Sequence, residues 1–509
     1  MIEFFVVGAG RGARACMVAV ALAATQPALA DLPMTGQQVQ ELAAIDTLLQ
    51  NFMSSRAIPG ATLAITHNGS VVYERGFGYS DAARSIPMLE TAQMRLASVS
   101  KPITASAVQQ LAKDGRLGLD DKVFNINGNG GILNVSPYNG LLGDPRLADI
   151  TVRQLLQHQA GWNRDTAGDL AFRDVQIARA MGLNSPPGID ASASYILSQP
   201  LQFSPGARTA YSNIGYMFLG MVIEARAGQS YEQYMDTHVL APAGIPDWEI
   251  NAGRTFAADQ GSREPYYHSP TRTQNVFDPN GAFVSRPYGS WDHEKAMAYG
   301  GLVGSAKAVA MLAVDRIAAG PEIGTLRADY TTYTDYWWYH TGSLDGTDTL
   351  MLQASWKDWT YAILFNQRPG SGATYGESLV NGMQSILEGV GRWPGALTYA
   401  GDFTGDQWLT LDDIEYFHKA MSLGSQSAFE AMFPGASYLA GDFDGNGIID
   451  HLDIAGFTSA LQHAGVPAAL ISQVPEPSAL MLGVPGVLLI LGVARRRQAQ
   501  GERERGVIS

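Results

Sequence analysis

The chain has a single cysteine, Cys16, and none after residue 30. Disulfides and cysteine-ligated zinc or iron–sulfur centres are therefore excluded from the rest of the chain. Basic residues are also scarce, with 34 Lys plus Arg against 48 Asp plus Glu and a net charge of −14. That balance argues against nucleic acid or a general anionic surface as a partner. No Gly-x-Ser-x-Gly segment occurs, which disfavours the nucleophile elbow of α/β-hydrolases. The nine histidines form no His-Glu-x-x-His or similar pair, which disfavours a zinc hydrolase. What is present is 509 residues at 46% hydrophobic content, enough for roughly two to four domains with real cores.

The two ends read as addresses. Arg11 and Arg14 precede an apolar run from Ala15 to Ala24, and Ala28-Leu29-Ala30 has the small-x-small form of a signal-peptidase site. Residues 1–30 are thus expected to be an export signal. At the other end, a linker over 467–478 holds Val474-Pro475-Glu476-Pro477-Ser478. An apolar segment from Ala479 to Ala494 follows, then Arg495, Arg496 and Arg497, so the tail covers 479–497. Its 16 apolar residues would span about 24 Å as a helix, short of the roughly 30 Å hydrocarbon layer. The basic end would stay cytoplasmic by the positive-inside rule. This tripartite tail resembles the PEP-CTERM sorting signal of bacterial envelope proteins. The resemblance implies sorting machinery and the membrane as partners, with the protein exported to the envelope or beyond. A plain short anchor is the alternative.

Between the ends, Gln38 to Met53 has helical apolar spacing. Ala61–Thr66 and Val71–Phe77 alternate around Asn68-Gly69, which signals a type I′ hairpin. Trp337–Thr341, Thr347–Ala354 and Thr360–Phe365 read as three further strands, followed by a helix from about Glu377 to Glu388. The middle is richer in loops and helices. The expected fold class is therefore α/β (α+β), an antiparallel sheet built from both ends of residues 31–393 and flanked by helices, with a large helical insert.

Three segments carry candidate chemistry. Ser98-Val99-Ser100-Lys101 opens an apolar helical run that Gly115 should end. Serine and lysine three apart share one helix face, so the amine can reach the hydroxyl, and burial would lower its pKa enough to accept a proton. Tyr211-Ser212-Asn213 sits on a loop entering a second apolar helix, and His340-Thr341-Gly342-Ser343 ends an aromatic strand where glycine permits close backbone approach. His158, in a Leu-Leu-Gln-His segment, reads as structural rather than catalytic.

In this order and spacing, the three segments resemble the serine β-lactamase and penicillin-binding-protein superfamily, in its class C-like branch. The likeness extends to Ile150–His158, to Gly300-Gly301-Leu302-Val303 and to Leu364-Phe365-Asn366-Gln367-Arg368. It implies a β-lactamase/DD-peptidase-like fold and acyl transfer through Ser98 with no cofactor for catalysis. Lys101 and Tyr211 would share the proton work, and the backbone N–H groups of Ser98 and Ser343 would form the oxyanion hole. Asn213, Thr341, Gly342 and Ser343 would bind substrate. His340 stands where many relatives have lysine. A neutral imidazole offers no fixed cation to a substrate carboxylate, so the likeness points to peptidase, aminopeptidase and esterase branches acting on a D-amino-acid peptide, amide or ester. β-Lactamase activity proper, or a non-catalytic envelope binding protein, are the alternatives.

Residues 394–466 hold an internal repeat, Ala400-Gly401-Asp402-Phe403 recurring as Ala440-Gly441-Asp442-Phe443. Two such loop-helix units should pair into one small all-α domain. Asp442, Asp444, Asn446, Asp450 and Asp453 fall at positions 1, 3, 5, 9 and 12 of an EF-hand-type calcium loop, with Gly447 at 6 and the Ile448 carbonyl at 7. The first copy offers Asp402, Thr404, Asp406, Thr410 and Asp413 but has Gln407 at the glycine position, so weaker Ca2+ binding or none is expected there. Asp at position 12 and the paired arrangement resemble a type I dockerin, which implies a cohesin-like partner.

Overall fold

The computed structural model describes residues 32–314, 337–354, 358–368 and 377–474. The expected export signal, the tail beyond residue 474 and the Pro-Glu-Pro motif lie outside these residues. Among the described residues, no helix is long and apolar enough to cross a membrane.

The described residues form eleven strands in chain order: β1 (Met34–Thr35), β2 (Gly60–His67), β3 (Ser70–Gly78), β4 (Gln93–Arg95), β5 (Ile250–Ala252), β6 (Arg272–Thr273), β7 (Val284–Ser285), β8 (Leu302–Ser305), β9 (Trp337–Leu344), β10 (Thr347–Ala354) and β11 (Trp359–Phe365). The main sheet is antiparallel with order β1-β3-β2-β11-β10-β9. It is assembled from both ends of its segment: β2 pairs with β11, from Ala61 opposite Phe365 to His67 opposite Trp359. In the β2–β3 hairpin Asn68 and Gly69 have φ of 52° and 84°, the left-handed pair that a type I′ turn requires.

The sheet is buried on both faces, as the period of two makes plain. Leu63, Ile65, Leu350, Leu352 and Ile363 pack on one side with Leu49, Phe52 and Met53 of the Ala43–Arg56 helix and Leu379 and Met383 of the Glu377–Glu388 helix. Ala64, Met351, Ala362 and Leu364 face the other way, toward Ile103 and Val108 of the Ser100–Lys113 helix and Ala308 and Val309 of the Ala306–Val314 helix. Each fully buried Leu or Ile contributes about 1.5–3 kcal/mol. A second sheet, β4-β8-β5, leads into the turn that carries Ser98 and was not foreseen. Its strands of three or four residues are too short to show alternation.

In the C-terminal repeats, Ile414 and Ile454, and Phe417 and Phe457, are equivalent residues that share one core. The two phenylalanines stack at 4.2 Å. This small domain is fastened to the body of the molecule. The Gln407 side chain accepts from Val71 N–H (2.7 Å) and donates to the Val71 and Leu397 carbonyls (2.9 Å each). Lys307 reaches the Gln407 carbonyl, His463 pairs with Glu90 at 2.6 Å, and Arg263 donates to the Ala464 carbonyl at 3.0 Å. The expected linker begins packed rather than loose: Ala468–Ile471 is a helical turn and Val474 is buried in the repeat core.

Candidate active site

β4 delivers the chain to Ala97, whose φ of 48° is the left-handed region that a side chain disfavours. Ser98 then lies in a 3-10 turn that runs into the Ser100–Lys113 helix. The Lys101 Nζ lies 3.1 Å from the Ser98 Oγ and donates to the Tyr299 carbonyl at 2.5 Å. Lys101 is fully buried. Burial pushes its amine well below the ordinary lysine range, with the Arg164 guanidinium adding to the effect and the Asp169 carboxylate opposing it. From the helical region, Tyr211 donates its phenol to the same Ser98 Oγ at 2.7 Å. Burial raises that phenol to about 12, so it stays protonated at neutral pH. Arg164 lies over the Tyr211 ring at 4.4 Å.

β9 closes the other side. A Cβ on Gly342 would lie 2.2 Å from the Leu96 carbonyl oxygen, 2.3 Å from the Thr349 hydroxyl and 2.9 Å from the Ser98 nitrogen, so only glycine lets the strand approach Ser98 this closely. Ser343 lines the cavity with Ser98, and Thr341 is half-buried on the same strand. Arg368 donates to the Ser343 Oγ at 2.8 Å. His340 is buried, and desolvation, then the neighbouring Lys101 amine, push its imidazole down to about 3. It is neutral at pH 7.

Ser98, Asn213, Ser343, Tyr299, Asp169, Arg164 and Arg173 share the lining of a cavity of about 340 Å3. Asn213 opens the Asn213–Ala227 helix, capped by the Ser212 hydroxyl, and donates its amide to Asp169 Oδ2 at 2.5 Å. His158 accepts the Ser212 N–H at 3.1 Å, and its ring lies 4.5 Å from that of Tyr211, so it supports the tyrosine loop from behind. Sequence reasoning missed Arg164, Asp169 and Arg173, which sit on an irregular segment without a motif. The Tyr299 carbonyl carries no side-chain signal at all.

The calcium-type loops lie apart from this cavity. In the second, carboxylate oxygens of Asp442, Asp444 and Asp453 lie within 4.8 Å of one another, the one such acidic grouping among the described residues. Asn446 and Asp450 turn onto the Ile448 and Leu452 N–H groups at 2.7 Å each. In the first loop the oxygens are taken up locally. Asp402 accepts from Gly405, Gln407 and the Thr404 hydroxyl, Asp406 from Trp408, and Asp413 from Phe403, Thr404 and Thr410. Burial raises Asp413 to about 7. Gln407 holds a φ of 70° where the pattern has glycine. Three all-oxygen carboxylates suit a hard divalent cation in the second loop.

Comparison with known proteins gives a family match. The pattern of the family described as Beta-lactamase covers residues 45–380. Protein flp of Staphylococcus aureus is 31% identical over 204 residues, 39% of this chain and 36% of that protein. Esterase EstB of Burkholderia gladioli is 31% identical over 215 residues, 40% of this chain and 50% of that one. The chain thus spans about a third to a half of the length of these curated relatives. Among solved structures, the penicillin-binding protein homologue from Pyrococcus abyssi is 22% identical with a TM-score of 0.49, covering 68% of this chain and 77% of the other. The D-amino acid amidase from Ochrobactrum anthropi is 19% identical with a TM-score of 0.49, covering 69% and 98%.

Proposed function

The chain belongs to the beta-lactamase family, and from that premise we propose that it is a serine hydrolase acting through an acyl-enzyme on amides or esters. The observation that carries this reading is the convergence on one hydroxyl of a buried amine at 3.1 Å and a phenol at 2.7 Å. Lys101, its proton affinity lowered by burial, accepts the Ser98 proton as the Oγ forms a bond to the substrate carbonyl carbon. The Ser98 and Ser343 N–H groups receive the developing oxyanion. Tyr211, still protonated, passes a proton to the departing amine or alcohol and is replenished from Lys101. Water then attacks the acyl-enzyme along the reverse route and frees the carboxylic acid.

The preferred substrate class is a D-amino-acid peptide, amide or ester rather than a β-lactam, because a neutral His340 presents no cation to a lactam carboxylate. The site calls for no cofactor in this chemistry. Export to the envelope, and sorting by the C-terminal tail, belong to the same proposal. So does Ca2+ in the second loop, held by Asp442, Asp444, Asn446, Asp450, Asp453 and the Ile448 carbonyl. The first loop acts as a clasp on the hydrolase body, and a cohesin-like partner would have to engage the face of the repeats that this clasp leaves open. Replacing Ser98 by alanine should abolish labelling by a fluorophosphonate probe and turnover of p-nitrophenyl esters. Labelling that persists in this variant rejects Ser98 as nucleophile.

A further inference from the structure

A second cavity, of about 480 Å3, lies where the repeats meet the hydrolase body and shares no lining residue with the cavity at Ser98. Its size is that of a small-molecule site, about 300–1,000 Å3. Three carboxylates and three basic groups line it, and they answer one another. Arg263 pairs with Glu249 at 2.7 Å and His463 with Glu90 at 2.6 Å. Glu74 is the carboxylate that acts most strongly on Lys307. Glu74, Glu249 and Lys307 are each at most 5% exposed. A charge left unmatched at such depth is costly. A guest bearing net charge would leave one unmatched, whereas a neutral guest disturbs no pair.

Hydrogen-bonding capacity remains in both directions. Lys307 has three N–H donors and gives one to the Gln407 carbonyl. Each carboxylate has about four lone-pair sites. Glu74 receives the Tyr399 hydroxyl at 2.6 Å, and Glu249 receives the Ser305 hydroxyl at 2.5 Å beside Arg263. A hydroxyl both donates and accepts, so it can use either kind of neighbour. Trp248, Trp408 and Phe443 complete the lining, and the negative face of an aromatic ring attracts polarised C–H groups. Hydroxyls around an edge and C–H groups on a face are the chemistry of a sugar ring.

We propose that this cavity binds a neutral saccharide of one or two rings, so that the molecule carries a carbohydrate site separate from its serine centre. The proposal is independent of the acyl-transfer reading. Body and repeats both supply walls, so an occupied cavity adds hydrogen bonds across their junction and should raise the stability of the docked arrangement.

Calorimetric titration and thermal unfolding of the full chain with methyl β-glucoside, cellobiose and N,N′-diacetylchitobiose test it. At least one should bind with a stoichiometry of about one and raise the Tm by about 2–4 °C at about ten times its Kd. Ser459 is an exposed lining residue, and Ser459→Trp should fill the cavity and abolish both effects. Trp248→Ala should weaken binding by about tenfold through loss of the aromatic face. Absence of binding by all three sugars overturns the inference. So does a Tm rise that persists in Ser459→Trp, which is the general exclusion of sugars from protein surfaces. Tighter binding of glucosamine in its ammonium form, or of glucuronate, refutes the matching of charges and the inference with it. The wild-type titrations decide the matter even if a variant fails to fold.

Discussion

Gly342→Ala is the most direct probe of how β9 serves Ser98, the proposed nucleophile. The added methyl would meet the Leu96 carbonyl oxygen at 2.2 Å, the Thr349 hydroxyl at 2.3 Å and the Ser98 nitrogen at 2.9 Å. Ordinary contact needs about 3.4 Å, so the strand must retreat by about 1 Å. The Thr349 hydroxyl cannot simply turn away, because it donates to the Leu96 carbonyl at 2.7 Å. Gly342 lies in regular strand pairing opposite Thr349, so the effect is displacement rather than backbone strain. Oxyanion donors work only within roughly 2.7–3.1 Å of the developing charge, and loss of one costs about 100- to 1,000-fold. The variant should therefore lose about 100- to 1,000-fold in kcat/KM for a p-nitrophenyl ester, measured by release of p-nitrophenolate, while its circular dichroism stays native. A loss of less than threefold would refute the placement of the Ser343 N–H in the oxyanion hole.

Three further outcomes follow from the same geometry. Because burial lowers the Lys101 amine, more of it is neutral as pH rises, so kcat/KM should climb with pH and level off well below the ordinary lysine value of about 10.4; an inflection at that ordinary value in the pH profile would contradict the role given to Lys101. Gln407→Ala removes three hydrogen bonds to buried backbone groups, and at about 1 kcal/mol each it should destabilise by about 3 kcal/mol. Gln407→Gly should recover about 1 kcal/mol of that by relieving the left-handed backbone, and equal urea midpoints for all three proteins would dismiss the clasp. Millimolar Ca2+ should raise the Tm of the full chain, by mass action on the folded state, and Asp453→Ala should erase the rise; a rise that survives this substitution places the cation elsewhere.

Much of the architecture was legible where residues act through period and turn chemistry. The Asn68-Gly69 hairpin, the three late strands and the Glu377–Glu388 helix all lie where patterning put them, since alternating or amphipathic stretches bounded by turn residues outweigh local noise. The short β4-β8-β5 sheet was not legible, because pairing across some two hundred residues decides it. At the site, Ser98 and Lys101 stand three apart at a helix start, whereas Tyr211, Asn213 and Ser343 are named through the family resemblance of the three segments taken together. Asp169 could not be named, because its meaning comes only from the Asn213 amide 44 positions away. Gln407 was legible as a departure from the glycine of a calcium loop, but its purpose was not, since Val71 lies 336 positions away in the chain.

The pairing of β2 with β11 has a temporal side. During synthesis the β2–β3 hairpin emerges some three hundred residues before the strand that covers β2. Until then one long apolar edge lies open to misassociation, and contacts so distant form slowly. The strand bearing Gly342 and Ser343 arrives in the same late stretch. A nascent or C-terminally shortened chain lacking residues beyond about 340 would carry Ser98 without the strand that lies against it, and the proposed acyl transfer would have to wait until the ribosome has delivered most of the polypeptide.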